Sequence, residues 1–303
     1  MKSHSDITIF EVGPRDGLQN EIPSLSIEIK ATLINRLSNC GLSFIEAGSF
    51  VSPKYISQMA NSEDVLAQIK RNKNTAYAAL VPNLKGFERA VSAKTDIVAI
   101  FTAASEAFAQ RNTNCSIDEN FNRFGPVLDR AKELDIPVRG YVSCVMGCPY
   151  QGDVPVGDVA EVAERLLNMG CYEVSLGDTI GIGDPRRTKL LIEAVAERIP
   201  VEKIAVHYHD TYGQALANIL RAIDVGVRTI DSAVGGLGGC PYAEGASGNV
   251  ATEDVIYMLD GMSLSTGVDL KQTVETAWWI SEKLNRRPSS RVAHAMGGPE
   301  NLG

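Results

Sequence analysis

Eight short runs of β-branched and aromatic residues recur along the chain: ITIFEVG, SFIEAGS, TAYAALVP, DIVAIFTAA, PVRGYVSCV, CYEVSLGD, IAVHYHDT and TIDSAVGG. Between them stand longer segments such as SIEIKATLINRLSNCG, DVAEVAERLLNMG and GQALANILRAIDVG, with apolar residues three and four apart and a glycine at or just past the end. The first pattern is that of buried strands and the second that of amphipathic helices with C-terminal glycine caps. Strand and helix alternating eight times predict parallel strands joined by right-handed crossovers. Eight such units favour closure into a TIM (β/α)8 barrel, with an open doubly wound sheet as the second choice. A chain of 303 residues is long enough for one such barrel in a single catalytic domain spanning 1–303. The barrel is expected over about 7–260 and a C-terminal helical extension over about 264–303. In that extension TVETAWWISEKLN reads as an extra amphipathic helix, and the glycine-bearing tail beyond it as frayed. The spacing also predicts an elaborated loop within the long Ala104–Asp135 stretch, ahead of its helix.

Composition narrows the function classes. Hydrophobic residues make up 44% and charged ones 22%, so a packed core is expected and wholesale disorder is not. The net charge is -8 and no lysine/arginine run stands out, which argues against nucleic acid and anionic membrane as partners. No apolar stretch has the length of a membrane span, and MKSHSDITIF lacks the apolar core of a signal peptide, so a cytoplasmic protein is expected. The six cysteines are scattered without a C-x-x-C pair, signalling neither a disulfide framework nor a tetrahedral zinc site; Cys144 and Cys148 are close but lack a second ligand pair. Neither G-x-x-x-x-G-K-S/T nor a G-x-G-x-x-G that opens a helix after a strand is present, so no nucleotide or flavin cofactor is indicated.

In a barrel of this kind the chemistry gathers at the C-terminal strand ends, and here those ends are unusually polar. The first run breaks at Gly13-Pro14 into Arg15 and Asp16; the second carries Glu46; the sixth ends in Asp178; the seventh carries His207 and His209; the loop after the eighth holds Cys240 and leads to Asn249. In VHYHD the two histidines, two apart, share one strand face. With the Asp16 carboxylate and the Asn249 amide oxygen they make a nitrogen/oxygen set suited to six-coordinate Mg2+ or Mn2+, with Zn2+ the second choice. An H-x-H alone is as well explained by two buried, hydrogen-bonded imidazoles; the companion residues tip the balance. Glu46 lies between Ile45 and Ala47, where an unpaired carboxylate costs several kcal/mol, so it needs a cation. Arg15 is the nearest candidate, and a guanidinium held by Glu46 can aim its other donors at a developing oxyanion. Cys240 sits in GGLGGCPYAEGASGN, either the flexible lid of a site with a proton-donating thiol or a tight turn with a bystander cysteine.

EVGPRDGLQNE, EAGSFVSPK, VPNLKGFERA, CSIDENFNRF, GYVSCVMGCPYQG, SLGDTIG, HYHDTYGQALAN and GLGGCPYAEGASGNVATED together resemble the 3-hydroxy-3-methylglutaryl-CoA lyases, across Ile7 to Val292. These are TIM-barrel metallolyases. The resemblance implies metal-dependent cleavage of (S)-3-hydroxy-3-methylglutaryl-CoA, an acyl-CoA thioester, to acetyl-CoA and acetoacetate. It puts metal ligands on Asp16, His207, His209 and Asn249, and catalytic roles on Arg15, Glu46, Asp178 and Cys240 and on a base that is Asp16 or His207. It puts substrate contacts on Arg15, Gln19, Ser49 and Ser175. A homodimer is implied as well. The first active-site strand begins within ten residues of Met1, which fits a bacterial cytoplasmic enzyme without the mitochondrial leader of animal members. No cysteine follows Cys240, so control through the C-terminal thiol of animal members is not expected. Lys85, Arg89 and Arg111 are candidates for the CoA phosphates from loop position alone. Rival activities are cleavage of a longer 3-hydroxy-3-alkylglutaryl thioester and condensation by an acyltransferase of the same superfamily.

Overall fold

A computed structural model describes residues 5–21, 24–52, 57–240 and 243–298, with main chain alone at Ser57, Cys240 and 243–247. All eight expected strands form: β1 (Thr8–Glu11), β2 (Phe44–Ser49), β3 (Ala76–Leu80), β4 (Ile97–Ala103), β5 (Val138–Ser143), β6 (Glu173–Asp178), β7 (Ile204–Tyr208) and β8 (Thr229–Ser232). Each pairs in parallel with the next, and β1 pairs with β8, Thr8 opposite Thr229 and Glu11 opposite Ser232, so the sheet closes into a TIM barrel. The strands are buried on both sides, which is why they read as near-continuous apolar runs. Crossover helices cover the outside; Ile27–Asn39, Val156–Asn168 and Ala215–Val225 take up the three segments whose period marks them as helices. The last ends on Gly226 at φ +119°, a left-handed position that suits glycine.

Two connections differ from the sequence expectation. SEAFAQRNTNCSIDEN, expected as a loop ahead of the helix in the Ala104–Asp135 stretch, is largely helical: Glu106–Thr113 and Ile117–Glu133 are consecutive helices. Ser105 caps the first by accepting from Phe108 N, and Ser116 with Glu119 forms a reciprocal capping box on the second. The C-terminal extension holds two helices instead of one, Leu270–Lys283 and Arg291–Met296. The second, expected to fray, is tied to the helix Thr252–Gly261 because Asp254 accepts from Ser290 Oγ at 2.6 Å and from Val292 N at 2.8 Å.

The barrel interior is partly polar. Phe10 stacks on Phe44 at 5.6 Å between ring centroids, and the fully buried Arg139 of β5 lies 4.1 Å over the Phe10 ring. Arg139 donates to Glu173 of β6 (2.8 Å), to both oxygens of Asp231 of β8 (3.0 and 2.7 Å) and to the Tyr141 hydroxyl (3.0 Å). An ion pair taken this far from water stabilises only when its hydrogen bonds are filled. Here both carboxylates and the guanidinium answer one another across the axis.

Candidate active site

The site begins where β1 ends. Val12 to Gly17 forms a single wide turn, closed by Gly17 N donating to Val12 O at 3.2 Å, five residues back. Such π-type turns occur often at functional sites. A side chain at Gly13 would put its Cβ 2.5 Å from Glu11 Oε1, so any larger residue there would have to displace the Glu11 carboxyl from the Gly13 and Val234 main-chain N–H groups. It delivers Arg15 and Asp16 together at the barrel mouth. Arg15 donates from Nε and Nη2 to Glu46 Oε2 (2.7 and 2.6 Å) and from Nη1 to Asp16 Oδ1 (2.7 Å). The guanidinium also lies 5.7 Å from the centroid of the Tyr141 ring. Burial alone favours loss of the Arg15 proton, but Glu46 and Asp16 outweigh it and hold the charge on Arg15. Burial pushes the Glu46 carboxyl above its ordinary range against the pull of Arg15, and its second oxygen is buried without a partner.

Asp16, His207 and His209 each bring one ligand atom within 4.8 Å of the others. His207 Nε2 is 3.7 Å from Asp16 Oδ2, and the imidazole centroids are 5.5 Å apart. Burial pushes Asp16 up, yet Arg15, the two histidines and the Asn249 amide together hold it well below the usual carboxylate range. His209 goes the other way: burial, then the neighbouring His207, lowers it to about 4, against Asp16 and the Thr179 main chain. Its Nδ1 is buried with no hydrogen-bond partner. A carboxylate kept ionised, an imidazole kept neutral and a buried ring nitrogen without a partner fit a divalent cation. His207 is raised, because the Asp231 hydrogen bond and the Asp16 charge overcome burial.

Asn249 follows β8 after a hairpin of β9 (Gly239–Cys240) and β10 (Ala243–Ser247), and its backbone bridges to His209. Its amide nitrogen donates to Asp16 Oδ2 (2.9 Å) and to Leu237 O (3.2 Å), which leaves the amide oxygen as what it can offer an ion. Two buried carboxylates brace the start of this loop. Glu11 accepts from Gly13 N, Val234 N and Thr252 Oγ1, and Glu253 accepts from Gly235 N with both oxygens.

The remaining sequence candidates divide. Gln19 is half-buried, and its amide oxygen has no partner. Ser49 Oγ accepts from Val51 N at the end of β2. Ser175, expected at the substrate, donates its hydroxyl to Asp231 Oδ2 at 2.8 Å. Asp178 is buried and accepts from Ile182 N and Gly183 N, so it fastens its own loop and stands outside the Asp16–histidine cluster. The Cys240 side chain lies outside what the structure describes. Arg89 pairs with Glu63 (2.6 Å) beside Lys85, while Arg111 stacks 4.4 Å over Tyr150.

Residues 6–280 match the model of the HMGL-like family. The chain belongs to that family. It is similar to the 3-hydroxy-3-isohexenylglutaryl-CoA/hydroxy-methylglutaryl-CoA lyase of Pseudomonas aeruginosa, 54% identical over 96% of this chain and 97% of the relative. Among solved structures it superposes on hydroxymethylglutaryl-CoA lyase from Pseudomonas aeruginosa with a TM-score of 0.94 (54% identity; 96% of this chain and 97% of that one). It also superposes on an HMG-CoA lyase from Acinetobacter baumannii, in complex with coenzyme A and 3-methylmalate, with a TM-score of 0.92 (36% identity; 100% and 99%).

In this HMGL-like chain three participants escaped the sequence reading: Arg139, Tyr141 and Asp231. Arg139 and Tyr141 share one face of β5 and Asp231 interrupts the apolar run of β8. The test that exposed Glu46, a charge inside a buried strand, applies equally to Arg139 and Asp231. Among the described residues no helix is long and apolar enough to cross a membrane.

Proposed function

We propose that this chain cleaves the C2–C3 bond of (S)-3-hydroxy-3-methylglutaryl-CoA, releasing acetyl-CoA and acetoacetate. The observation that carries the reading is Arg15: a buried guanidinium clamped by Glu46 on one side and joined to the Asp16–histidine cluster on the other. The chain is a carbon–carbon lyase, and a retro-Claisen cleavage needs both halves of that arrangement. The tertiary hydroxyl must lose its proton, the C2–C3 bond must break, and the electron pair must pass to the thioester as an enolate. Asp16, His207, His209 and Asn249 would hold Mg2+ or Mn2+, which supplies Lewis acidity to the hydroxyl and orientation to the substrate. Arg15, fixed before substrate arrives, directs its remaining N–H donors to the enolate oxygen, where such a donor is typically worth about 3–4 kcal/mol. Asp16 or His207 takes the hydroxyl proton, and Cys240 returns a proton to the acetyl-CoA carbon once the loop closes. Gln19 and Ser49 contact the substrate near Arg15.

Incubation with the pure thioester and Mn2+ should yield acetyl-CoA and acetoacetate in equal amounts. Absence of cleavage, with condensation of acetyl-CoA onto 2-oxo acids instead, would overturn this assignment in favour of a synthase. A second substrate is favoured by the double name of the Pseudomonas relative, which includes a longer 3-substituent. kcat/KM for the methyl and the longer-chain thioesters, measured side by side, ranks the two. We further propose a single catalytic domain acting as a cytoplasmic homodimer, which light scattering of the purified chain checks for mass.

A further inference from the structure

Resting on the reading that Asp16, His207 and His209 take a divalent cation, we propose that Asp231, backed by Arg139, is a positioning residue. It locks His207 with its proton on Nδ1, so that Nε2 is the nitrogen turned to the cation. Three facts of geometry carry this. His207 Nδ1 lies 3.2 Å from Asp231 Oδ2, while Nε2 lies on the Asp16 side, 3.7 Å from Asp16 Oδ2. Asp231 faces donors on every other side: Arg139 Nη2 at 2.7 Å on Oδ1, and Arg139 Nη1 at 3.0 Å and Ser175 Oγ at 2.8 Å on Oδ2. An ionised carboxylate can only accept, so a hydrogen bond to Nδ1 requires the proton on the ring. Nor can the carboxylate turn away. Arg139 is itself pinned by Glu173 at Nε and by the Tyr141 hydroxyl, with its Cζ 4.1 Å over the Phe10 ring, and neither Arg139 nor Asp231 has an exposed side chain. Carboxylates that hold the second nitrogen of a metal-binding histidine commonly set both its tautomer and its basicity.

The two histidines therefore differ. His207 carries a carboxylate on its second nitrogen, whereas the charges that act on His209 are those of His207 and Asp16. The polar interior of the barrel, which does nothing for the reaction by contact, acts on the site through one hydrogen bond.

The tautomer is read directly by long-range 1H–15N correlation spectra of the full-length, metal-free wild type above pH 8. With four histidines in the chain, His207 is assigned by comparison with His207→Asn. A protonated Nδ1 on His207 is expected, and a protonated Nε2 would overturn the proposal whatever any variant does. Asp231→Asn supplies the second readout. An amide is a weaker acceptor than the carboxylate it replaces, so the hold on the Nδ1 proton weakens and the Nε2-protonated tautomer gains population. The spectrum should show the Nε2-protonated form of His207 gaining population, and the dissociation constant for Mn2+ by calorimetry should rise about 10–100-fold. A merely structural Asp231 would lower the unfolding midpoint but leave tautomer and Mn2+ affinity unchanged, and that result sinks the positioning role. Failure of the wild type to bind Mn2+ would instead strike the reading of the site, leaving the tautomer measurement standing.

Discussion

Two buried arginines occupy this barrel, and they are kept in opposite ways. Arg139, in the interior, has every nitrogen engaged: Nε with Glu173, Nη1 with Tyr141 and Asp231, Nη2 with Asp231. Arg15, at the mouth, turns Nε and Nη2 onto a single oxygen of Glu46 and one hydrogen of Nη1 onto Asp16. The first guanidinium gives four of its five N–H donors to groups of the barrel interior and is structural in its contacts. The second is held firmly but incompletely, with donors left for something that arrives later. A buried charge answered from several strands of the barrel organises the fold, whereas one held from one side at the mouth is available to chemistry.

Chelation is the largest test of this contrast. EDTA should abolish cleavage and Mn2+ or Mg2+ should restore it, while the far-UV circular dichroism set by the barrel stays unchanged; full activity after exhaustive chelation would falsify the metal assignment. Arg15→Gln comes next: kcat should fall about 10²–10³-fold with little change in KM or in the urea midpoint. Were the loss confined to KM, Arg15 would be a ground-state binder. Arg139→Met should fall mainly on stability, lowering it by about 3–5 kcal/mol in urea unfolding because Asp231 and Glu173 lose their counter-charge, with a smaller loss of kcat passed on through the hold of Asp231 on His207. Equal effects of the two substitutions on kcat and on stability would erase the distinction.

The smallest effect concerns pH. Burial pushes Glu11 up to about 7 and Glu253 up to about 8, against an ordinary 4.5. Folded values above unfolded ones mean stability that is complete below about pH 4.5 and is lost as pH rises towards 7 and 8. Glu253→Gln should flatten the upper part of that loss, and denaturant titrations from pH 5 to 9 would reveal an unchanged slope if the carboxyl is not protonated in the fold.

Much of this was legible in the sequence because strand and helix signals are local. The eight runs gave the eight strands, and polar residues at or after their ends gave Arg15, Asp16, Glu46, His207, His209 and Asn249, all of which meet in one hydrogen-bonded or ligand-spaced cluster. Glu46 proved readable because a carboxylate within FIEAGS has no local explanation. What stayed hidden depends on which strands face each other across the axis. Nothing in TIDS tells Asp231 that Arg139 stands opposite, and nothing in CYEVSLGD tells that the Ser175 hydroxyl donates to Asp231 of β8. The second C-terminal helix was hidden for a similar reason, since Asp254 supplies its anchor from 36 residues away.

The seam between β1 and β8 has a consequence for how the molecule is made. Asp16 arrives on the first strand, and the Asn249 amide that touches it is 233 residues further on. A ribosome-bound chain that has released seven strands has both histidines and the carboxylate but no closed sheet to hold them together. Pairings this distant in sequence form late, after the local contacts have been made. The cation site is therefore completed only when the ends of the sheet meet, and cation uptake during refolding would clock that last event.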